Sequence, residues 1–152
     1  MEKVTLKAKK FIGISVRTSN DQEAVADIPN LWQRFMSEGI LAQIPNKIND
    51  TIYSIYTEYE GDHTQPYTTI LGCEVTSLDE IPAGFKSCEV PESEYAKFTE
   101  TGNMTEGFII NVWMKIWKLD LNRTYQADFE VYGEKAQNPA NAEVDIYIGI
   151  NG

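Results

Sequence analysis

The chain has 152 residues, 42% hydrophobic, 24% charged and 11% aromatic, a composition that fits one globular domain with its own core and excludes a disordered or collagenous chain. Its 13 Lys and Arg stand against 23 Asp and Glu, a formal net charge of -10 that opposes a phosphate-binding surface, so direct nucleic-acid binding is not expected, and that favours the approach of cations. No apolar run approaches the roughly 20 residues of a membrane span, and residues 1–10 mix charges with small apolar residues unlike a secretory leader, so a cytoplasmic protein is expected, with Cys73 and Cys88 as buried thiols.

Val4, Leu6, Ala8, Phe11, Ile12, Ile14 and Val16 predict one extended segment from Lys3 to Arg17, bent or bulged near Lys9-Lys10 and Gly13. After the turn at Ser19-Asn20-Asp21, Ala24, Ile28, Leu31, Trp32, Phe35 and Met36 recur at helical spacing, and Gly39 can end that helix. Pro29 inside it marks either the start of the regular helix or a kink. Residues 52–60 and 67–75 are rich in β-branched and aromatic residues and read as a hairpin around a polar loop, and Ile81-Pro82-Ala83-Gly84 reads as a connector. The order then repeats. Residues 85–90 and 95–98 are extended, and Thr105 can cap a helix to about Leu119 with Ile109, Val112, Trp113, Ile116 and Trp117 along one stripe. Residues 125–132 and 144–150 form a second hairpin. A strand-helix-hairpin unit thus occurs twice, about 1–80 and about 81–152, and predicts an α+β domain: an antiparallel sheet with two helices on one side and a cleft between the repeats.

Several segments in this order carry a family resemblance: Leu31-Trp32-Gln33-Arg34-Phe35, Tyr53 to Tyr59, Leu71-Gly72-Cys73-Glu74-Val75, Tyr95-Ala96-Lys97-Phe98, Arg123-Thr124-Tyr125, and Asp128-Phe129-Glu130-Val131-Tyr132 with the terminal Ile146-Tyr147-Ile148. Together they resemble the GyrI-like, AraC-type effector-binding domains, particularly the free-standing branch found among integron cassettes. The resemblance implies a pseudo-two-fold domain whose cleft takes amphipathic, often cationic compounds. It also implies an acidic pocket residue on a late strand, and Glu130 is the matching position. Unlike full-length regulators of that kind, the sequence has no helix-turn-helix segment before the first strand.

Strand alternation puts Asp128, Glu130 and Tyr132 on one face, and Glu143, Asp145 and Tyr147 on one face of the last strand, without saying which faces meet the cleft. If the polar faces do, a carboxylate stands among tyrosines, as a cation site requires. The candidate ligand-binding residues are therefore Glu130, Trp113, Tyr147, Tyr132, Tyr56 and Trp32, while Asp128 and Glu143 read as solvated strand residues. His63, the sole histidine, reads as a solvated loop residue, so neither a histidine triad nor a multi-imidazole zinc site can form, and no cofactor or metal is expected. The expected partner is an amphipathic cation, with a regulator or target protein as a further one. Two other roles stay open: a hydrolase of reactive drug-like compounds using Glu130 as general base, and an inhibitor acting by contact with a larger protein.

Overall fold

The first expected strand is two strands: Glu2–Leu6 (β1) and Lys9–Thr18 (β2) part at Lys7-Ala8 and pair at opposite ends of the sheet. The molecule is described by a computed structural model that covers residues 1–20, 22–62 and 64–151, with backbone alone for 22–25 and 105; His63 lies outside the described residues, as does Asp21 of the expected turn. The first helix, Gln22–Ser37 (α1), runs through Pro29 and buries Leu31 and Phe35. It stops before Gly39, whose left-handed φ of 62° costs little without a Cβ, and a short helix Ile40–Gln43 (α2) follows. Strands Ile52–Thr57 (β3) and Tyr67–Val75 (β4) form the first hairpin.

In the second half come Lys86–Val90 (β5), Ser93–Gly102 (β6), the helix Phe108–Trp117 (α3), Arg123–Tyr132 (β7) and Ala142–Ile150 (β8). The helix begins later than Thr105 would have it. A 3-10 turn at Met104–Glu106 intervenes and left-handed Gly107 (φ 69°) stands at the helix N-terminus, so Thr105 is not its cap; the side chain of Thr105 lies outside the described residues.

All pairings are antiparallel in one sheet ordered β1-β6-β8-β7-β3-β4-β2-β5, an α+β architecture as expected. Only Pro91 and Glu92 separate edge strand β5 from β6, which lies beside the opposite edge. A link that short holds the two ends of the sheet within about 11 Å, so the sheet curls. Phe11 of β2, Tyr53 of β3 and Tyr95 of β6 all reach Phe129 of β7 inside the curl, with ring centroids 5.4 to 6.0 Å from it. The outer face carries every helix. There α1 and α2 cover Ile12, Ile14, Leu71 and Cys73, while α3 covers Ala96, Val144, Ile146 and Ile148. The central pair β3–β7 lies between the two helical covers.

Tight curvature needs close strands, and Gly13 of β2 pairs with Gly72 of β4. A Cβ on Gly72 would stand 2.0 Å from the carbonyl oxygen of Ile12, and one on Gly13 2.1 Å from that of Leu71. Gly72→Ala therefore forces these strands apart and should cost about 3 kcal/mol or more of unfolding free energy, read from urea denaturation; a loss under about 0.5 kcal/mol would show that the close approach is not required.

Candidate functional site

Glu130 sits on β7 between Ser54 of β3 and Ile146 of β8, so its side chain faces the helices. It is 1% exposed. Three neutral donors hold the carboxylate: Tyr56 Oη at 2.9 Å and Trp113 Nε1 at 2.5 Å both donate to Oε2, and the Tyr132 hydroxyl donates to Oε1. These donors come from β3, α3 and β7, so the site exists only once α3 has docked on the sheet. No Lys or Arg among the described residues pairs with Glu130. Burial pushes its pKa up from the ordinary 4.5, while the hydrogen bonds from Tyr132, Trp113 and Tyr56 pull it back. The hydroxyls of Tyr56 and Tyr132 are held far above their ordinary range, by burial first and then by the adjacent carboxylate, and so remain donors.

This carboxylate is on the wall of a cavity of about 410 Å³ between α1 and α3. Trp32 of α1 meets Tyr132 edge-on at 4.9 Å, and Tyr56 meets Trp113 edge-on at 5.4 Å. Five of the six candidates, Glu130, Trp113, Tyr132, Tyr56 and Trp32, thus line one cavity. Tyr147 does not. It pairs with Phe129, so it points to the other face of the sheet and stacks on that ring at 4.9 Å; the expectation that it shares the pocket is corrected by register.

Asp128 also departs from expectation, being fully buried rather than solvated. It accepts from Gly149 N at 2.8 Å, Tyr59 Oη at 2.5 Å and Arg123 Nη2 at 2.7 Å, the last an ion pair whose side chains are 5% and 0% exposed. Glu143 is a partly exposed residue paired with Lys135 at 3.1 Å. Tyr59, Tyr67 and Arg123 line the cavity and were not among the candidates. Tyr59 follows Glu58 and Arg123 precedes Tyr125, both left-handed with φ 53°, and the β7–β8 register shifts between Arg123 and Asp128. A period of two cannot be carried across such residues. The repeated tyrosines at 53, 56 and 59 were the available signal for Tyr59. Among the described residues, no three His, Cys, Asp or Glu side chains gather as a metal site would require, and no helix is long and apolar enough to cross a membrane.

A curled antiparallel sheet carrying all its helices outside, with an aromatic cavity over its central strands, is the fold of the GyrI-like effector-binding domains. The chain belongs to the family of integron-associated effector binding proteins, whose model matches residues 3–150. It is 33% identical over 150 residues to the "Putative transcriptional regulator protein YobU" of Bacillus subtilis (strain 168), covering 95% of this chain and 94% of that one. In structure it is similar to integron cassette protein VCH_CASS2 from the mobile metagenome of Vibrio cholerae, with a TM-score of 0.74, 25% identity and coverage of 99% and 95% of the two chains. It is similar also to SAV2435, solved bound to tetraphenylphosphonium, with a TM-score of 0.78, 19% identity and coverage of 99% and 93%.

Linkage sets a stability test for Glu130. Its folded pKa lies above its unfolded one, so its favourable contribution is complete below about pH 4.5 and is lost as pH rises through the folded value. Glu130→Gln removes that loss and still fits the donors: its oxygen can accept from Tyr56 and Trp113 while its amide donates to Tyr132. The melting temperature of Glu130→Gln relative to the parent should therefore rise by a few degrees between pH 4 and pH 7; a constant difference across that range would contradict a raised pKa.

Proposed function

We propose that this cavity binds an amphipathic organic cation and that the protein acts as a ligand-sensing or ligand-sequestering domain. The observation that carries the reading is Glu130: a carboxylate removed from water, lacking a cationic partner among the described residues, on the wall of an aromatic cavity. A buried charge without a counterion is costly, and a bound cation would supply one. Tyr and Trp rings around it add apolar contact and cation–π attraction of about 2 kcal/mol where water is excluded. The net charge of -10 assists approach. The tetraphenylphosphonium carried by SAV2435 is an ion of this chemical kind.

A general-base role for Glu130 draws less support. Three protein donors already occupy the carboxylate, two on Oε2 and one on Oε1, so a general-base role needs a hydrolytic water at the one remaining site of Oε1 or in exchange for a tyrosine or an indole. Binding requires no such exchange, because a positive charge is attracted through the ring faces while the hydrogen bonds stay in place.

Tetraphenylphosphonium should quench the tryptophan fluorescence saturably, and Glu130→Gln should weaken its binding tenfold or more, equal to at least about 1.4 kcal/mol. Affinity in the parent should fall on acidification, since protonating Glu130 removes the charge, and should be nearly flat with pH in Glu130→Gln. Equal affinity in parent and variant would remove Glu130 from the cation reading. Consumption of a compound with release of product would favour the hydrolase instead.

A further inference from the structure

Arg123 is a second ionic group on the cavity wall, and among the described residues only one of its nitrogens has a hydrogen-bond partner. Nη2 donates to Asp128, whereas Nε and Nη1 are buried with no hydrogen-bond partner among the described residues. Buried donors are nearly always paired in folded proteins, so two donor nitrogens without partners on a 5% exposed side chain call for an explanation. The backbone beside it supplies another observation. Tyr125, a bulky residue, is left-handed at φ 53° where the β7–β8 register shifts, a conformation that persists only when its surroundings impose it. Its ring lies over the guanidinium, 4.3 Å from the guanidinium carbon to the ring centroid. The same bulge thus brings Arg123 to the cavity wall and stacks a ring on its guanidinium. Trp113 connects the two poles of the site, donating its N–H to Glu130 while its ring stands 5.9 Å from the Arg123 guanidinium carbon.

We infer that Arg123 is a donor subsite for a neutral carbonyl group on the ligand whose cationic part lies by Glu130, with the Tyr125 ring stacked on the guanidinium face to hold its plane in place. The acceptor is neutral because Asp128 already balances the guanidinium, and an anionic group would add uncompensated charge beside Asp128 and Glu130. A planar fork of N–H donors suits an amide, ester or ketone oxygen. The ligand class becomes an aromatic cation bearing such a carbonyl within reach of the same indole. This inference rests on the cation reading above and adds the selectivity of that site.

The test uses two monocations of one scaffold, tetraphenylphosphonium and (4-carbamoylphenyl)triphenylphosphonium, titrated calorimetrically into the full chain. The carbamoyl compound should bind about tenfold tighter to the parent. That ratio should fall to about one in Arg123→Met/Asp128→Asn, which removes both members of the ion pair so that neither charge is left buried alone, and should shrink in Arg123→Lys, which keeps the charge without the fork. Because both probes carry the same charge, the ratio is insensitive to the altered field. Equal affinities in the parent, or a ratio that persists in both variants, would overturn the Arg123 subsite and leave the cation reading standing. Failure of both probes to bind the parent would overturn the cation reading itself, and the subsite with it.

Discussion

The structure turns on one buried carboxylate held by three neutral donors. Glu130 sits at 1% exposure, where charge is costly, and the hydroxyls of Tyr56 and Tyr132 and the indole N–H of Trp113 make that position tolerable. Each donor comes from a different element, so the arrangement records the docking of α3 onto β3 and β7. These dipoles satisfy the oxygens without supplying a counterion among the described residues.

The neighbouring carboxylate shows the contrast. Asp128 lies on the same face, two residues earlier, and is equally buried, yet it has Arg123 at 2.7 Å, a backbone N–H and a tyrosine hydroxyl. That pair is self-contained in charge and ties β7 to β8 through Gly149 and to the segment after β3 through Tyr59. Glu130 and Asp128 therefore have different chemistry although alternation treats them alike. What separates them is the bulge at Tyr125, which turns Arg123 toward one of them.

Much of this was legible in the order of residues. The strand-helix-hairpin order, the end of α1 at Gly39, and the grouping of Asp128, Glu130 and Tyr132 on one face follow from local periodicity and from glycine's backbone freedom. The break at Lys7-Ala8 was less legible, because both sides of it are extended and only their pairing partners, β6 for one and β4 and β5 for the other, distinguish them. Tyr147 was misplaced for a related reason. Alternation groups it with Glu143 and Asp145, but only the pairing of Phe129 with Tyr147 shows that this face is turned away from Glu130.

Fold class, acidic charge and a short set of aromatic and acidic candidates were readable from the chain alone, because these depend on composition and on periods of two and 3.6 within single elements. Which face of each strand meets the helices, that Asp128 has a cationic partner while Glu130 has none among the described residues, and that Tyr59 and Arg123 join the cavity depend on the assembled fold. Cross-strand register and left-handed residues made those decisions. A single residue of slip or one bulge reverses the face of every side chain beyond it, and no local pattern marks where that occurs.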